Sequence, residues 1–230
     1  MSNANPGATA QAEMPSSWAM IRTLGGIATI SGVLLALVYQ VTDDIIKQNR
    51  QDALRQAVFT VIPGAAQQVQ FDITDDGRLQ RVTKESGGDP ELFTGWSKDG
   101  TLLGVAFEAT GQGYGGHVRV LYGYDPDQHE ITGLTILESR ETPGLGDRIA
   151  QKPFLDKFEG LTTTLDAAEK ELVHPITFVK SGEKSEPWQV EGISGATISS
   201  KAVVNAIRQD TAEMLPFVHD HLDELKEAAP

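Results

Sequence analysis

Cysteine is missing from this chain of 230 residues. Its absence excludes disulfides, thiolate metal sites, cysteine-ligated iron–sulfur clusters and cysteine nucleophiles. It does not select a compartment, because a protein without disulfides can lie on either side of a membrane.

Basic residues are also scarce, since 19 Lys and Arg face 32 Asp and Glu and the net charge is −13. Residues 1–41 contain only Glu13 and Arg22 as charged residues, so the whole acidic excess lies after them. A domain this acidic repels phosphate backbones, which argues against nucleic-acid binding. We expect the excess to serve solubility.

Charge is absent from the twenty residues 23–42. A helix of about 20 apolar residues spans the hydrocarbon layer of a membrane, and Trp18 and Tyr39 stand near its two ends, where aromatic rings favour the interface. We therefore predict a flexible tail over residues 1–17 and a transmembrane helix over residues 18–42. A signal peptide is the main alternative, weakened by the single basic residue before the span and the lack of an Ala-x-Ala site. A buried core helix is weakened by the charge-free length.

The charges that flank this span do not determine its orientation. Arg22 precedes the span, whereas Lys47, Arg50 and Arg55 follow it among acidic residues. A count of basic residues would place residues 43 onward inside the cell. That count has little weight, because large domains are translocated largely regardless of charge.

Residues 43–95 are predicted to contain an amphipathic helix and the first part of a soluble region. The helix is expected to run from Asp44 to about Ile62 and to end at Pro63-Gly64. The candidates for its buried face are Ile45, Ile46, Leu54, Val58 and Phe59.

Short alternating apolar runs separated by turn residues follow, which is typical of antiparallel strands. The predicted strands are residues 69–73, 79–82, 102–109, 118–124 and 131–137. Later segments are a helical pattern at 147–160, strand patterns at 176–180 and 188–190, a helix from Gly195 to about Pro216, and a short helix at 219–226 with His219 and His221 exposed. Strands that precede helices, rather than alternating with them, indicate an α+β class, here a transmembrane helix followed by a mostly antiparallel sheet with helices.

The segment 192–200 joins a predicted strand to a predicted helix. Ser194 is a natural N-cap, so Thr197 is expected in the first helical turn. Amide groups at a helix start lack intrahelical partners and carry the positive end of the dipole, which suits a phosphate. From the residues alone, an ordinary capped helix start is the simpler interpretation.

Two motifs together favour a different interpretation. The segment Ser194–Ser200 has the pattern Ser-Gly-Ala-Thr-x-x-Ser. It resembles the flavinylation motif of the FMN-binding domain family, in which a flavin transferase joins FMN to the threonine hydroxyl through a phosphoester. Upstream, residues 141–148 have the sequence Glu-Thr-Pro-Gly-Leu-Gly-Asp-Arg. In this order behind one span, the motifs resemble the RnfG proteins of Rnf ion-translocating complexes and the related NqrC proteins of Na⁺-pumping quinone reductases.

The resemblance implies which residues form the flavin site. Thr197 corresponds to the residue that carries the covalent FMN. The other implied cofactor-binding residues are Ser194, Gly195, Ala196, Ser200, Glu141, Thr142, Gly144, Leu145, Gly146, Tyr114 and Gly116. We expect Glu141 or the Thr142 hydroxyl to contact the polar edge of the flavin. Many family members have a histidine two residues before the glutamate, but this chain has Ser139, so no role of that histidine is carried over.

The segment Gly111–Gly116 contains the letters G-x-G-x-x-G, which also occur in dinucleotide-binding folds. That fingerprint requires a helix after it, whereas a predicted strand follows here, so we reject a Rossmann site. The glycines are expected to allow close approach of the backbone. The family has a similar segment beside its flavin, where Tyr114 is expected either to stack on the ring or to pack in the core.

The resemblance implies a one-electron relay by covalent FMN in a membrane complex that couples electron flow between ferredoxin and NAD to ion translocation. It places a covalent FMN-binding domain at residues 96–216, a C-terminal helix or tail at 217–230, and this soluble part on the periplasmic side of a bacterial inner membrane. The implied partners are the other membrane and redox subunits and a flavin transferase. Neither independent catalytic activity nor a metal site is expected. The alternatives are an NqrC-like subunit, a stand-alone membrane-anchored FMN reductase, and a tethered binding protein with an empty site.

Overall fold

The computed structural model describes residues 16–82 and 90–230, except for the side chain of Asp44. Nearly all of the predicted tail at residues 1–17 lies outside the described residues. The chain separates into two compact units, Met1–Gln51 and Asp52–Pro230. Each unit is described by itself below.

The first unit is dominated by helix α1, which begins at Ser17 and extends to Val61. Its most apolar window has a mean hydropathy of 1.8, so α1 is long and apolar enough to cross a membrane. The Thr23 hydroxyl donates to the Ala19 carbonyl at 2.9 Å, and the Thr29 hydroxyl donates to the Gly25 carbonyl at 2.8 Å. Both hydroxyls are thus satisfied within the helix, as an apolar environment requires.

The last turns of α1 belong to the second unit and pack on its sheet. The buried residues are Ala57, Val58, Val61 and Ile62. The prediction was correct for Val58, while Leu54 is partly buried; it was wrong for Ile45, Ile46 and Phe59, which are exposed. The Val61 carbonyl has no intrahelical partner at the helix end and accepts a hydrogen bond from the Thr132 hydroxyl.

The second unit contains a seven-stranded antiparallel sheet in the order β2-β1-β3-β4-β5-β6-β7. The strands are β1 Gln67–Ile73, β2 Leu79–Arg81, β3 Leu92–Trp96, β4 Leu102–Gln112, β5 His117–Asp125, β6 Glu130–Ser139 and β7 Leu161–Thr162. The predicted fold class is confirmed. Strand β3 was missed because all five of its residues are buried, so the sequence shows no alternation there.

The elements after the sheet differ from the prediction in two places. The helical pattern at 147–160 is a 3₁₀ turn at Gly146–Ala150, a short helix α2 at Lys152–Leu155 and a second 3₁₀ turn at Asp156–Phe158. Helix α3, Thr197–Asp220, continues past Pro216, where we predicted its end. Leu215, Pro216 and Val218 are buried, and this packing offsets the hydrogen bond that proline cannot make. The remaining elements are the parallel strands β8 Thr177–Val179 and β9 Gln189–Glu191 and the helix α4 Leu222–Glu227.

Helix α3 covers one face of the sheet and so determines where its own first turn lies. Val203, Val204 and Ile207 are fully buried in a core with residues of β4 and β5. A Cβ at Gly111 of β4 would collide with the Ala202 carbonyl oxygen, so helix and strand backbones are in direct contact. This contact brings the start of α3 next to the turn between β4 and β5.

Two polar pairs lie where α3 meets β5, and they respond to pH in opposite directions. The Tyr122 hydroxyl donates to Asp210 Oδ2 at 2.7 Å, and burial raises the pKa of Asp210 to about 6. The Tyr124 hydroxyl lies 2.8 Å from His219 Nε2, and burial lowers the pKa of His219. The predicted exposure of His219 is therefore wrong, because its side chain is 5% exposed.

We expect Asp210→Asn to stabilise the fold at pH 8 and to alter its pH dependence. Because the pKa of Asp210 is raised, the folded state binds its proton more tightly, so this group adds stability as pH falls from about 6 to 4. The shift of about two units corresponds to at most about 3 kcal/mol, which the charged form costs at higher pH. Urea unfolding of the full chain in detergent from pH 4 to 8 measures this difference.

His219 provides the opposite slope in the same experiment, since a lowered pKa costs stability as pH falls below about 6.5. Comparing Asp210→Asn with the wild type keeps His219 constant and isolates the aspartate. Parallel stability profiles for the two proteins would show that Asp210 does not titrate between the folded and unfolded states as stated.

Candidate functional site

Three segments converge at one end of the sheet. They are the turn 113–116 between β4 and β5, the loop 140–145 after β6, and the turn 192–196 before α3. The predicted site residues all lie in these segments, directly after them, or in the first turn of α3. A Rossmann site is excluded by the structure as well, because Gly111–Gly116 leads from one antiparallel strand into another.

Glu141 joins the segments through its carboxylate, which lies at their centre. The residue is 8% exposed, and its Oε1 accepts hydrogen bonds from the Tyr114 N–H at 2.8 Å and the Gly115 N–H at 3.3 Å. Its own N–H donates to Ser139 Oγ at 3.3 Å. One carboxylate oxygen is thus already engaged by the backbone of the neighbouring turn.

Glycines surround this carboxylate because there is no room for side chains. A Cβ at Gly113 would collide with Glu141 Oε1, and a Cβ at Gly146 would collide with Glu141 Oε2. The same Cβ at Gly146 would lie 2.9 Å from Ser199 Oγ of α3. The glutamate therefore contacts the β4–β5 turn on one side and lies close to the start of α3 on the other.

Thr197 is the first residue of α3, and its side chain is exposed. The expected N-cap role of Ser194 is wrong, since the cap position is Ala196 and no side chain caps the helix. The reason is local: Gly195 has φ +86°, and this left-handed residue turns the chain so that Ser194 lies too early to cap. The Ser194 carbonyl instead accepts a hydrogen bond from Arg148 at 3.1 Å.

Ser200 stabilises the turn from inside. It is fully buried, and its hydroxyl donates to the Ala196 carbonyl at 2.9 Å and accepts from the Ile193 N–H at 3.1 Å. The first turn of α3 contains no acidic residue. Its leading N–H groups and the helix dipole therefore create a positive environment around the Thr197 hydroxyl.

The loop 140–145 presents an exposed turn beside these groups. The Leu145 N–H donates to the Thr142 carbonyl at 3.1 Å, and Gly144 has φ +78°, which favours glycine. Gly116, in the β4–β5 turn, has φ +145°. Glycine at these positions lets both turns close tightly.

Each of the three segments, or the helix that follows it, exposes one large apolar side chain. Tyr114 is 75% exposed, and Leu145 and Ile198 are each 55% exposed. Of the described residues after α1, Val173 alone shares this property. Exposed apolar side chains that cluster in this way are typical of a binding surface for a flat apolar group.

Two basic residues near Thr197 were not singled out from the sequence. Arg148 reaches the Ser194 carbonyl, and Lys201 is four residues after Thr197 in the same helix. Helical spacing was the available signal for Lys201, because residues i and i+4 share a face. No comparable signal existed for Arg148, since its contact joins segments 46 residues apart.

Comparison with known proteins agrees with this geometry. Residues 113–210 match the family model described as the FMN-binding domain, and residues 22–61 match the model for the RnfG N-terminal region. The former contains all three converging segments.

Full-length relatives and solved structures extend the similarity. The RnfG protein of the ion-translocating oxidoreductase complex of Methanosarcina acetivorans is 31% identical over 190 residues, which cover 82% of this chain and 89% of that protein. Its counterpart in the Na⁺-translocating ferredoxin:NAD⁺ oxidoreductase complex of Acetobacterium woodii is 32% identical, covering 83% and 89%. The crystal structure of Shewanella oneidensis NqrC shares the fold, with a TM-score of 0.57 at 18% identity over 79% of this chain and all of that one. The chain therefore belongs to the RnfG family of the ion-translocating oxidoreductase (Rnf) complexes.

Proposed function

We propose that this chain relays electrons within an ion-translocating ferredoxin:NAD oxidoreductase complex through FMN attached to Thr197 by a phosphoester. The observation that carries the proposal is the arrangement around Thr197. An exposed hydroxyl stands at the positive end of α3, and Tyr114, Leu145 and Ile198 expose apolar surface on the segments around it. A phosphate fits the first feature, and an isoalloxazine ring fits the second.

Attachment requires an activated donor, because a phosphoester does not form from free FMN and a hydroxyl in water without a driving force. A flavin dinucleotide supplies that force. The bond between Thr197 Oγ and the flavin phosphorus forms, the diphosphate bond breaks, and the nucleoside monophosphate leaves. The hydroxyl proton is lost to solvent or to a base of the flavin transferase, which we expect as a maturation partner.

The residues of the chain hold the flavin and determine its environment. Glu141 keeps the β4–β5 turn against the loop 140–145, so that Tyr114 and Leu145 face the same region. Bound FMN supplies reversible electron transfer, and the protein contributes position and electrostatics. Because the Glu141 carboxylate is occupied by backbone N–H groups, we assign it to positioning and leave the Thr142 hydroxyl as the candidate for direct contact with the ring.

The anchor and the location follow from α1 and from the family. We propose that residues 18–42 span the bacterial inner membrane once and that residues 96–216 form the covalent FMN-binding domain on the periplasmic side. The relatives in M. acetivorans and A. woodii are named as subunits of complexes, which supports other membrane and redox subunits as partners. A covalent tether is useful outside the cytoplasm, because FMN that dissociated there could not readily be replaced.

The test is to express the full chain with and without a flavin transferase and to analyse it after denaturation. We expect a fluorescent band and an intact-mass increase of one FMN only when the transferase is present. Other subunits should co-purify with the chain from the native membrane. A non-fluorescent, unmodified chain in the presence of an active transferase would refute covalent attachment. A flavin-loaded chain that purifies alone and reduces a substrate would instead indicate a stand-alone reductase.

A further inference from the structure

We propose that Lys201 and Arg148 hold the flavin phosphate, first while it is transferred to Thr197 and then in the finished ester. This inference rests on the proposed function and adds the residues that recognise the anionic part of the flavin.

Lys201 is placed to reach this phosphate. It lies one helical turn after Thr197, where the two Cβ atoms are about 6 Å apart. Side chains in a helix lean toward its N-terminus, so the lysine extends toward Thr197. Its Nζ lies 5.2 Å from the centroid of the Phe178 ring, which orients the stem by a cation–π contact and leaves the ammonium N–H groups available.

Arg148 approaches from the opposite segment. Its Nη1 donates to the Ser194 carbonyl, three residues before Thr197, and this bond places the guanidinium beside the turn that leads into α3. A guanidinium has five N–H donors in a planar fork that matches the oxygens of a phosphate. One donor is used by Ser194, so others are available to a second acceptor.

Charge supports the same assignment. Within residues 16–82 and 90–230, no carboxylate lies within ion-pair distance of Lys201 or Arg148. The chain as a whole carries a net charge of −13, which repels an anionic donor. These two cations, on either side of Thr197, offset that repulsion where the phosphate must approach.

The experiment measures the initial rate of FMN transfer to the full chain in detergent, with purified flavin transferase and flavin adenine dinucleotide. We expect Lys201→Gln and Arg148→Gln each to slow transfer roughly tenfold, as for the loss of one charge-assisted hydrogen bond. Lys201→Arg should restore the rate to within about twofold, because it keeps the charge. The matched control is Lys98→Gln, which removes the same charge at the exposed turn before β4, at the other end of that strand.

A second measurement tests contact in the loaded chain. The ³¹P resonance of the phosphodiester should move in Lys201→Gln and keep its position in Lys98→Gln. If Lys201→Gln matches Lys98→Gln in both rate and resonance while the wild type is loaded at Thr197, this inference is overturned and the proposed function stands. If the wild type itself accepts no flavin, the proposed function fails and this inference fails with it.

Discussion

Thr197→Ala is expected to remove covalent flavin from the chain, leaving less than about 1% of wild-type loading, because the nucleophilic oxygen is gone. Thr197 begins α3 and its side chain is exposed, so the substitution leaves the buried packing of the helix unchanged. In-gel fluorescence and intact mass after co-expression with the transferase measure the loading. We expect the melting temperature of the variant without flavin to match that of the unloaded wild type.

Two variants make this result specific. Thr197→Ser keeps the hydroxyl at the same helix start and should still accept flavin. Thr101→Ala removes an exposed threonine from the turn before β4 and should load fully. Fluorescence that persists in Thr197→Ala would move the attachment to another residue, and peptide mapping of the flavin would then identify it.

Glu141→Ala is expected to destabilise the fold by about 2–4 kcal/mol, because the N–H groups of Tyr114 and Gly115 lose their acceptor in a partly buried site. The two turns should also separate. Hydrogen exchange of a peptide that covers residues 111–116 should become faster, while exchange in the centre of β5 changes only in proportion to global stability.

The isosteric variant Glu141→Gln separates shape from charge. Its amide oxygen can still accept from the same N–H groups, so we expect it to recover most of the stability and of the slow exchange. The exposed residue Glu183 provides the control, since Glu183→Ala should lie within about 0.5 kcal/mol of the wild type. Unchanged exchange at residues 111–116 in Glu141→Ala would show that the carboxylate does not hold the turn, and a direct contact with the flavin would become the better explanation.

Local patterns account for the parts of the structure that the sequence predicted well. The apolar stretch of α1 and the alternation in β4, β5 and β6 are each contained within one segment. The position of Thr197 at a helix start was likewise visible, because Gly195 and the apolar periodicity after it lie side by side in the chain. Strand β3 was not visible, since it is buried on both faces and has no alternating pattern.

The orientation of polar groups could not be obtained in the same way. Ser200 has the same type of side chain as Ser194, yet its hydroxyl faces inward and closes the turn, while the Ser194 carbonyl bonds to Arg148. His219 has the sequence pattern of an exposed helix residue among acidic neighbours, but α3 continues past Pro216 and buries it against Tyr124. These differences arise from packing between elements that are distant in sequence.

The sequence by itself determined that this chain has one apolar span, an antiparallel α+β domain, and a helix that begins at Thr197. It did so because apolar periodicity, turn residues and positive-φ glycines act on their immediate neighbours. Only the tertiary structure decided that Glu141 lies between the turns and that Lys201 and Arg148 flank Thr197. The contact of Glu141 with Tyr114 joins residues 27 positions apart, and such contacts depend on how strands and helix pack rather than on any local pattern.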